Sequence, residues 1–397
     1  MNIGMSAFDP LPPVSVLATI HKLLTRKEML ADPQAVDAVR NEAESMRAMQ
    51  VWDDDSVMEK SDRIGEARSR NQTIHMADLM SICSIKFWET PSKRKHKGRV
   101  VFRGDNVRDN WGGAAQFGNL YSTPTNIQAI NIAIYFGMLT GNVIRVADAY
   151  KAYLQAMLLA DADTFVTLPP ELWKDSWHGR YKQPTVRLLR ALYGHPRAGA
   201  FWDLHLRQLL QGDMGLVPVD GHPSVYFHAT WHLLVVVYVD DILAAGPLES
   251  QNQFWAALQT QVQLDDVEEL SQFLGPFHHL ESGDCRLDMI DYCKEAVSLY
   301  LDVAGPKINL RKVSTPYVSE GILNQQDYEV TGEITMKASS VLMKLLWVCR
   351  LCRPDLAFCI SMLAGQVSKW NRNCETIVQT CVVLEFNAQP LHAHQSI

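Results

Sequence analysis

Apolar positions recur along this chain in two rhythms, and each change of rhythm marks an element. Over residues 32–52, "DPQAVDAVRNEAESMRAMQVW", they return at three- and four-residue steps, the period of a surface helix with one buried face. "PTNIQAINIAIYFGMLTG" keeps that period, opens on Pro and closes on Gly, and so predicts a helix marked at both ends. "NVIRVADAYKAYLQAML" reads as a strand that turns into a helix, and further helices are predicted over 198–211 and 250–262. Between those two the rhythm breaks. In "LLVVVYVDDILAAG" aliphatic and aromatic runs flank two adjacent aspartates, which predicts a buried hairpin with acid at its tip. "GRVVFRG" predicts another strand, followed by a turn-rich stretch over 105–124. Residues 53–90 are mixed and polar with no usable period, and 281–332 is charged and irregular, read as a small subdomain with a linker. A last helical pattern, "SSVLMKLLWVCRLCRPDLAFCISMLAGQVSKW", ends at Trp370, beyond which the pattern is lost.

Composition sets the bounds. With 397 residues, 47% hydrophobic and 20% charged, the chain is ordinary globular material with length for two or three domains. No apolar run approaches the roughly 18 residues of a membrane span. The opening "MNIGMSAFDPLPPVSVL" lacks the basic start, apolar core and cleavage site of a secretory signal, so an intracellular protein is expected. The eight irregularly spaced cysteines are then expected to be reduced thiols. Cys349 and Cys352 have the spacing of half a zinc site, with Cys374, Cys381, His392 and His394 as loose partners, but helical spacing into a core accounts for them better.

The net charge of −7 argues against a nucleic-acid partner on average, yet the charge is not spread evenly. Residues 93–108 carry seven Lys or Arg against one Asp, and 180–197 are basic with no acid. Each alone is as consistent with a solvated face; together they are candidates for one wall of a phosphate-binding channel.

Asp240 and Asp241 prove little by themselves, since Asp is a common turn residue that bonds local backbone. They gain meaning from Asp148, which ends another apolar strand in "VIRVADAYKAYL". A strand end and a hairpin tip can lie side by side in one antiparallel sheet. Two divalent metals about 4 Å apart, clamping the attacking and leaving oxygens of a phosphoryl transfer, need carboxylates from more than one segment. The three aspartates are therefore candidates for a metal-dependent nucleotidyl-transfer site.

The same residues carry a resemblance. "YVDD" after an apolar run, with "D-x-x-x-A-Y-L" upstream, resembles the reverse transcriptase region of the Pol polyprotein of copia-type (Ty1/copia) LTR retrotransposons. "KGRVVFRG" is similar to that family's basic fingers strand, "LRALYGHPRAGAFW" to its segment opening on Leu-Tyr-Gly and closing on an aromatic, and "VEELSQFLG" to its Leu-x-x-Phe-Leu-Gly run. "NEAESMRAMQVW" resembles the helix before the fingers, and "STPYVSEG" and the stretch around Arg353, Pro354 and Asp355 resemble the family's segments downstream of the palm. The likeness runs in consistent order from Val36 to Trp370.

The resemblance implies an α+β right-hand polymerase fold. It assigns an N-terminal extension over 1–90 with its helix at 32–52, fingers over 91–145, and an antiparallel palm sheet with flanking helices and the catalytic hairpin over 146–280. A thumb and linker come next over 281–335, then a helical connection over 336–397, cut short before a ribonuclease H domain. It implies Asp148, Asp240 and Asp241 as catalytic ligands of two Mg2+ ions, with Mn2+ as a substitute. Tyr153 takes the position of the aromatic gate under the incoming sugar, and Lys97, Arg99 and Arg103 fall in the segment that holds the triphosphate. Arg197 stands in the nucleotide-binding segment where the family usually has Gln, and Ala200 where it usually has Arg. The implied partners are an RNA template, a DNA primer and deoxynucleoside triphosphates, with no membrane and the oligomeric state open. The implied location is a cytoplasmic retrotransposon particle, with the nucleus as a second site.

A reading of a different class competes: a decayed, catalytically silent polymerase-like module that binds RNA or an RNA–DNA hybrid. The three aspartates and Tyr153 favour the enzyme; Arg197 and the missing continuation favour the silent module. A generic phosphotransferase lacks any Gly-rich phosphate loop to support it.

Overall fold

The basic stretch is a strand, Lys95–Phe102, and its alternation explains its charge. Gly98, Val100 and Phe102 point inward while Lys97 and Arg99 point to solvent. Helix Pro33–Ala48 lies on the inward side, with Asp32 capping Gln34 N–H, Pro33 at its first position, and Ala35, Val39, Ala43 and Met46 all fully buried. The approach is close enough that a Cβ on Gly98 would collide with the Ala38 carbonyl. The computed structural model describes residues 22–387 apart from 87, 89–90, 119–122, 160–161, 282, 306–307, 309–312, 314, 319–320 and 322. The chain forms two compact units that meet in sequence at Leu274 and Gly275.

The first unit holds two sheets. Strand Lys95–Phe102 belongs to a seven-stranded sheet ordered Lys22–Leu23, Ile74–Lys86, Asp163–Thr167, Pro184–Leu188, Trp52–Glu59, with Lys95–Phe102 and Arg108–Asp109 also paired to Ile74–Lys86. Ile74–Lys86 and Asp163–Thr167 run parallel and the other pairs antiparallel. Much of this sheet escapes sequence periodicity. Residues 53–90, read as unassignable, contain strand Trp52–Glu59, helix Lys60–Ser69 and strand Ile74–Lys86. The last does alternate, but its inward positions include Ser81 and Cys83, too small and polar to show an apolar rhythm. The second basic stretch contains strand Pro184–Leu188, masked by the charges around it.

The other sheet is antiparallel and six-stranded, ordered Glu268–Glu269, Asn142–Asp148, Asp241–Pro247, Leu233–Tyr238, Val225–His228, Val217–Pro218. On one face Val235, Val237, Ile242 and Ala244 pack with Phe201, Trp202 and Leu206 of helix Ala198–Gln208 and with Phe254, Trp255 and Leu258 of helix Leu248–Gln259. On the other, Ile144 and Ala245 abut Gly137 of helix Ile127–Gly137. Burial on both faces is why the hairpin reads as uninterrupted apolar runs rather than alternation, and why its charge is confined to the strand ends.

The second unit pairs a short hairpin, Phe277–Glu281 with Asp284–Asp288, and helices Ile290–Ala304, Ala338–Leu351, Ala357–Gly365 and Arg372–Asn387. The structure corrects two expectations in this unit. The stretch read as irregular contains helix Ile290–Ala304, and the pattern does not end at Trp370. Cys374, Ile377, Val378, Cys381 and Val382 recur at helical spacing and are buried with Leu345, Ile360 and Leu363. Cysteine supplies part of that stripe, and a count of aliphatic residues alone misses it. Cys349, Cys359, Cys374 and Cys381 are core residues, and none of the eight cysteines is in a disulfide. His392 and His394 lie outside the described residues.

Candidate active site

The hairpin pairing fixes the acid geometry. Leu234 opposes Ala245, the register continues to Tyr238 opposite Asp241, and Val239 and Asp240 form a two-residue loop. Asp241 opens its strand directly opposite Asp148 on the neighbouring one. The Ala149 N–H donates to the Asp240 carbonyl at 2.8 Å, which joins the strand end to the hairpin tip. Three aspartates separated by up to 93 residues are thus brought to one end of one sheet.

Further acid lies beside them. The Asp265 N–H donates to the Asp148 carbonyl at 2.9 Å, and Asp148, Asp241, Asp265, Asp266 and Glu268 line a cleft of about 310 Å³. Sequence reading missed this group; "LDDVEEL" displays it, but its two-residue strand Glu268–Glu269 is too short to carry a period. Burial, then the charges of Asp240 and Asp265, push the Asp148 carboxyl up to about 6. Burial, then Asp240 and Asp148, push Asp241 up to about 7. Like charges are held together with no cation among the groups that shift them. Their hard carboxylate oxygens are the donor type that divalent cations such as Mg2+ take, while no group of three His, Cys, Asp or Glu side chains is already gathered into a ligand set among the described residues.

The aromatic and basic candidates divide. Tyr153, on the short helix Ala152–Gln155, has its hydroxyl pushed up by burial and by Asp240, and its ring lies 5.3 Å from that of Tyr193. Tyr193, which no sequence argument singled out, is pushed up to about 12 by burial and then Asp240, with Arg99 opposing. Its carbonyl accepts from Phe102 N–H at 2.8 Å, and Gly194 follows at φ +88 with no room for a Cβ against the Phe102 carbonyl. The Leu-Tyr-Gly segment therefore seats the end of the basic strand, and its Tyr193 hydroxyl lies within electrostatic reach of Asp240. Lys97 is lowered by burial, then by Arg99, Lys86 and Lys151. Lys151, also missed, sits in the left-handed region at φ +49, its ammonium held by Glu42 at 2.8 Å and Ser45 Oγ at 2.8 Å. Arg103 is turned to Asp105 at 3.0 Å on the exposed surface. The Arg197 guanidinium lies over the Phe201 ring at 4.7 Å, next to the buried His195.

Comparison with known proteins gives this arrangement a family. The family described as reverse transcriptase (RNA-dependent DNA polymerase) matches residues 85–305, more than half of the chain. The chain belongs to that family, and its α+β architecture is the family's right-hand polymerase fold. Among curated proteins it is similar to the Transposon Ty1-BR Gag-Pol polyprotein of Saccharomyces cerevisiae, 22% identical over 382 residues, covering 92% of this chain and 20% of the relative. The Ty1-DR4 Gag-Pol polyprotein of that yeast is 21% identical over 382 residues, with 92% and 22% covered. The chain thus spans about a fifth of the length of these relatives. A solved foamy viral protease-reverse transcriptase in complex with double-stranded DNA is similar over 81% of this chain and 46% of that one, at 12% identity and TM-score 0.41. No helix among the described residues is long and apolar enough to cross a membrane.

Proposed function

We propose that this chain is an RNA-directed DNA polymerase of a copia-type retrotransposon, extending a DNA primer on an RNA template inside a cytoplasmic particle. The observation that carries the reading is the register of Asp148 opposite Asp241 with Asp240 at the adjoining turn. Asp148, Asp240 and Asp241 hold two divalent cations, Mg2+ or Mn2+. When bound, the cations supply the charge that stabilises the attacking and leaving oxygens. Tyr153 lies under the incoming sugar and excludes a 2′-hydroxyl. Lys97 and Arg99 stand on the outer face of a strand paired with Ile74–Lys86 and neutralise the triphosphate, with Arg103 at the rim. Arg197 lines the nucleotide segment through its contact with Phe201. The six-stranded sheet serves as the palm, strand Lys95–Phe102 with its helix as part of the fingers, and the second unit as thumb and connection.

The test is primer extension on a homopolymer RNA with Mg2+. The wild type extends, while Asp148→Asn and Asp240→Asn lose synthesis by on the order of a thousandfold or more, because removing a metal ligand forfeits several kcal/mol of transition-state stabilisation. Hybrid binding by the same variants stays near wild type, since affinity comes mainly from phosphate contacts elsewhere. A wild type that binds hybrid but never extends it is the silent module instead.

A further inference from the structure

The hairpin turn that carries Asp240 is strained. A two-residue loop with φ positive only at its first residue is the turn geometry that favours glycine there, and this chain has Val239 at φ +61. A β-branched side chain in the left-handed region persists only where its surroundings over-determine it. One group does so directly: the indole N–H of Trp202, 2% exposed on helix Ala198–Gln208, donates to the Val239 carbonyl at 2.6 Å. Val239 and Trp202 also line one small cavity with Gly199, Asp203 and Val237. The loop is also held by the Ala149 N–H bond to the Asp240 carbonyl and closed by the pairing of Tyr238 with Asp241.

We propose that Trp202 is a positioning residue: its indole N–H clamps the strained Val239 peptide and so sets where the Asp240 carboxylate stands relative to Asp148 and Asp241. The inference rests on the polymerase reading for its catalytic consequence, but the clamp itself does not. A clamp acting through strain makes a specific demand. Glycine at 239 adopts the turn without strain, so the clamp matters less when glycine is there.

The experiment is a double-mutant cycle with Trp202→Phe, Val239→Gly and the pair, read by primer extension and by amide hydrogen exchange over residues 237–243. Trp202→Phe lowers kcat by about tenfold with a KM for the nucleotide changed by less than about threefold, and it raises the Mg2+ concentration for half-activation. In the Val239→Gly background the loss shrinks to about threefold or less. Exchange in the hairpin accelerates in Trp202→Phe and returns toward the level of Val239→Gly in the pair. Equal losses in both backgrounds, with hairpin exchange unchanged, would overturn the clamp and leave Trp202 as core packing. Should Trp202→Phe fail to fold, a benzothienyl-alanine at 202 keeps the indole shape and removes only the N–H, and the same criteria apply. If the wild type makes no DNA while the exchange pattern holds, the polymerase reading fails and the clamp stands.

Discussion

Strands Asn142–Asp148 and Lys95–Phe102 both carry candidate site residues of the first unit, and they carry them in opposite ways. The acid strand lies inside its sheet, its hairpin neighbours are buried on both faces, and its one carboxylate sits at its end, while Arg145 in mid-strand is turned out to Asn252. The basic strand has one buried face and one solvent face, and its charge runs along the length of the latter. Charge at the end of a buried strand is fixed by backbone register, and the cost of its position shows in raised carboxyl pKa values. Charge along an exposed face has its spacing fixed while each side chain remains free to follow a ligand. Chemistry that needs sub-ångström placement belongs on the first kind of strand, and phosphate binding, which tolerates movement, on the second.

The sharpest way to break this division is at Tyr153, which sits on the acid side and feels Asp240. Tyr153→Val opens about a ring's volume where the sugar would lie. Discrimination against ribonucleotides collapses by about 100-fold while deoxynucleotide use survives at reduced rate, because the carboxylates and the basic strand stay in place. Incorporation efficiencies for matched ribo- and deoxynucleotides decide it. A variant that keeps its full preference makes Tyr153 a packing partner of Tyr193 and moves the gate elsewhere.

The two strands also differ in how far the sequence revealed them. The acid hairpin is legible because burial on both faces leaves an unbroken apolar run, against which two aspartates stand out. Helix Pro33–Ala48 is legible for a related reason, since four buried positions at helical spacing sit among charges. Ile74–Lys86, which the basic strand pairs with, is not, because Ser81 and Cys83 occupy inward positions. Asp265 and Tyr193 escaped for a different cause: they join the site through tertiary contacts of the Asp265 N–H and the Tyr193 carbonyl, which no local pattern encodes. Helix Arg372–Asn387 shows the reverse failure, a clear period hidden because cysteines fill two of its positions.

A milder test addresses the basic face. Binding of an RNA–DNA hybrid is steeply salt-dependent, and neutralising Lys97, Arg99 and Arg103 together lowers the log–log slope by about one unit for each phosphate that the strand no longer neutralises. Side-chain pairing adjusts the number. Arg103 already pairs with Asp105 at 3.0 Å, so its removal changes less than that of Lys97 or Arg99, and the slope of the triple variant falls by about two units rather than three. Titration of affinity against salt for the triple variant and for Lys97→Gln with Arg99→Gln makes the comparison. An unchanged slope would reduce the strand to a solvated face, with the phosphate contacts carried by other groups.

The smallest expected effect comes from the acid end alone, without nucleic acid. Asp148 and Asp241 hold their protons to about 6 and about 7, above the ordinary carboxylate range they take in the unfolded chain. Between about pH 4 and pH 7 the folded state therefore binds more protons than the unfolded state, and the linkage relation makes stability fall as pH rises through that window. Above it the full repulsion among the carboxylates remains. A divalent cation that binds the ionised carboxylates of the folded state opposes that loss, and it competes poorly once the carboxyls are protonated. Added Mg2+ accordingly raises the melting temperature by about 2–4 °C at pH 8, relative to a chelator, and by much less at pH 5. Asp241→Asn removes one of the repelling charges, so in chelator it melts higher than wild type at pH 8 and gains less from Mg2+. Thermal melts of both proteins at the two pH values carry the test. A Mg2+ shift of equal size at pH 5 and pH 8 would mean that the cation binds elsewhere, and that the three aspartates are held together by the sheet without serving as its ligands.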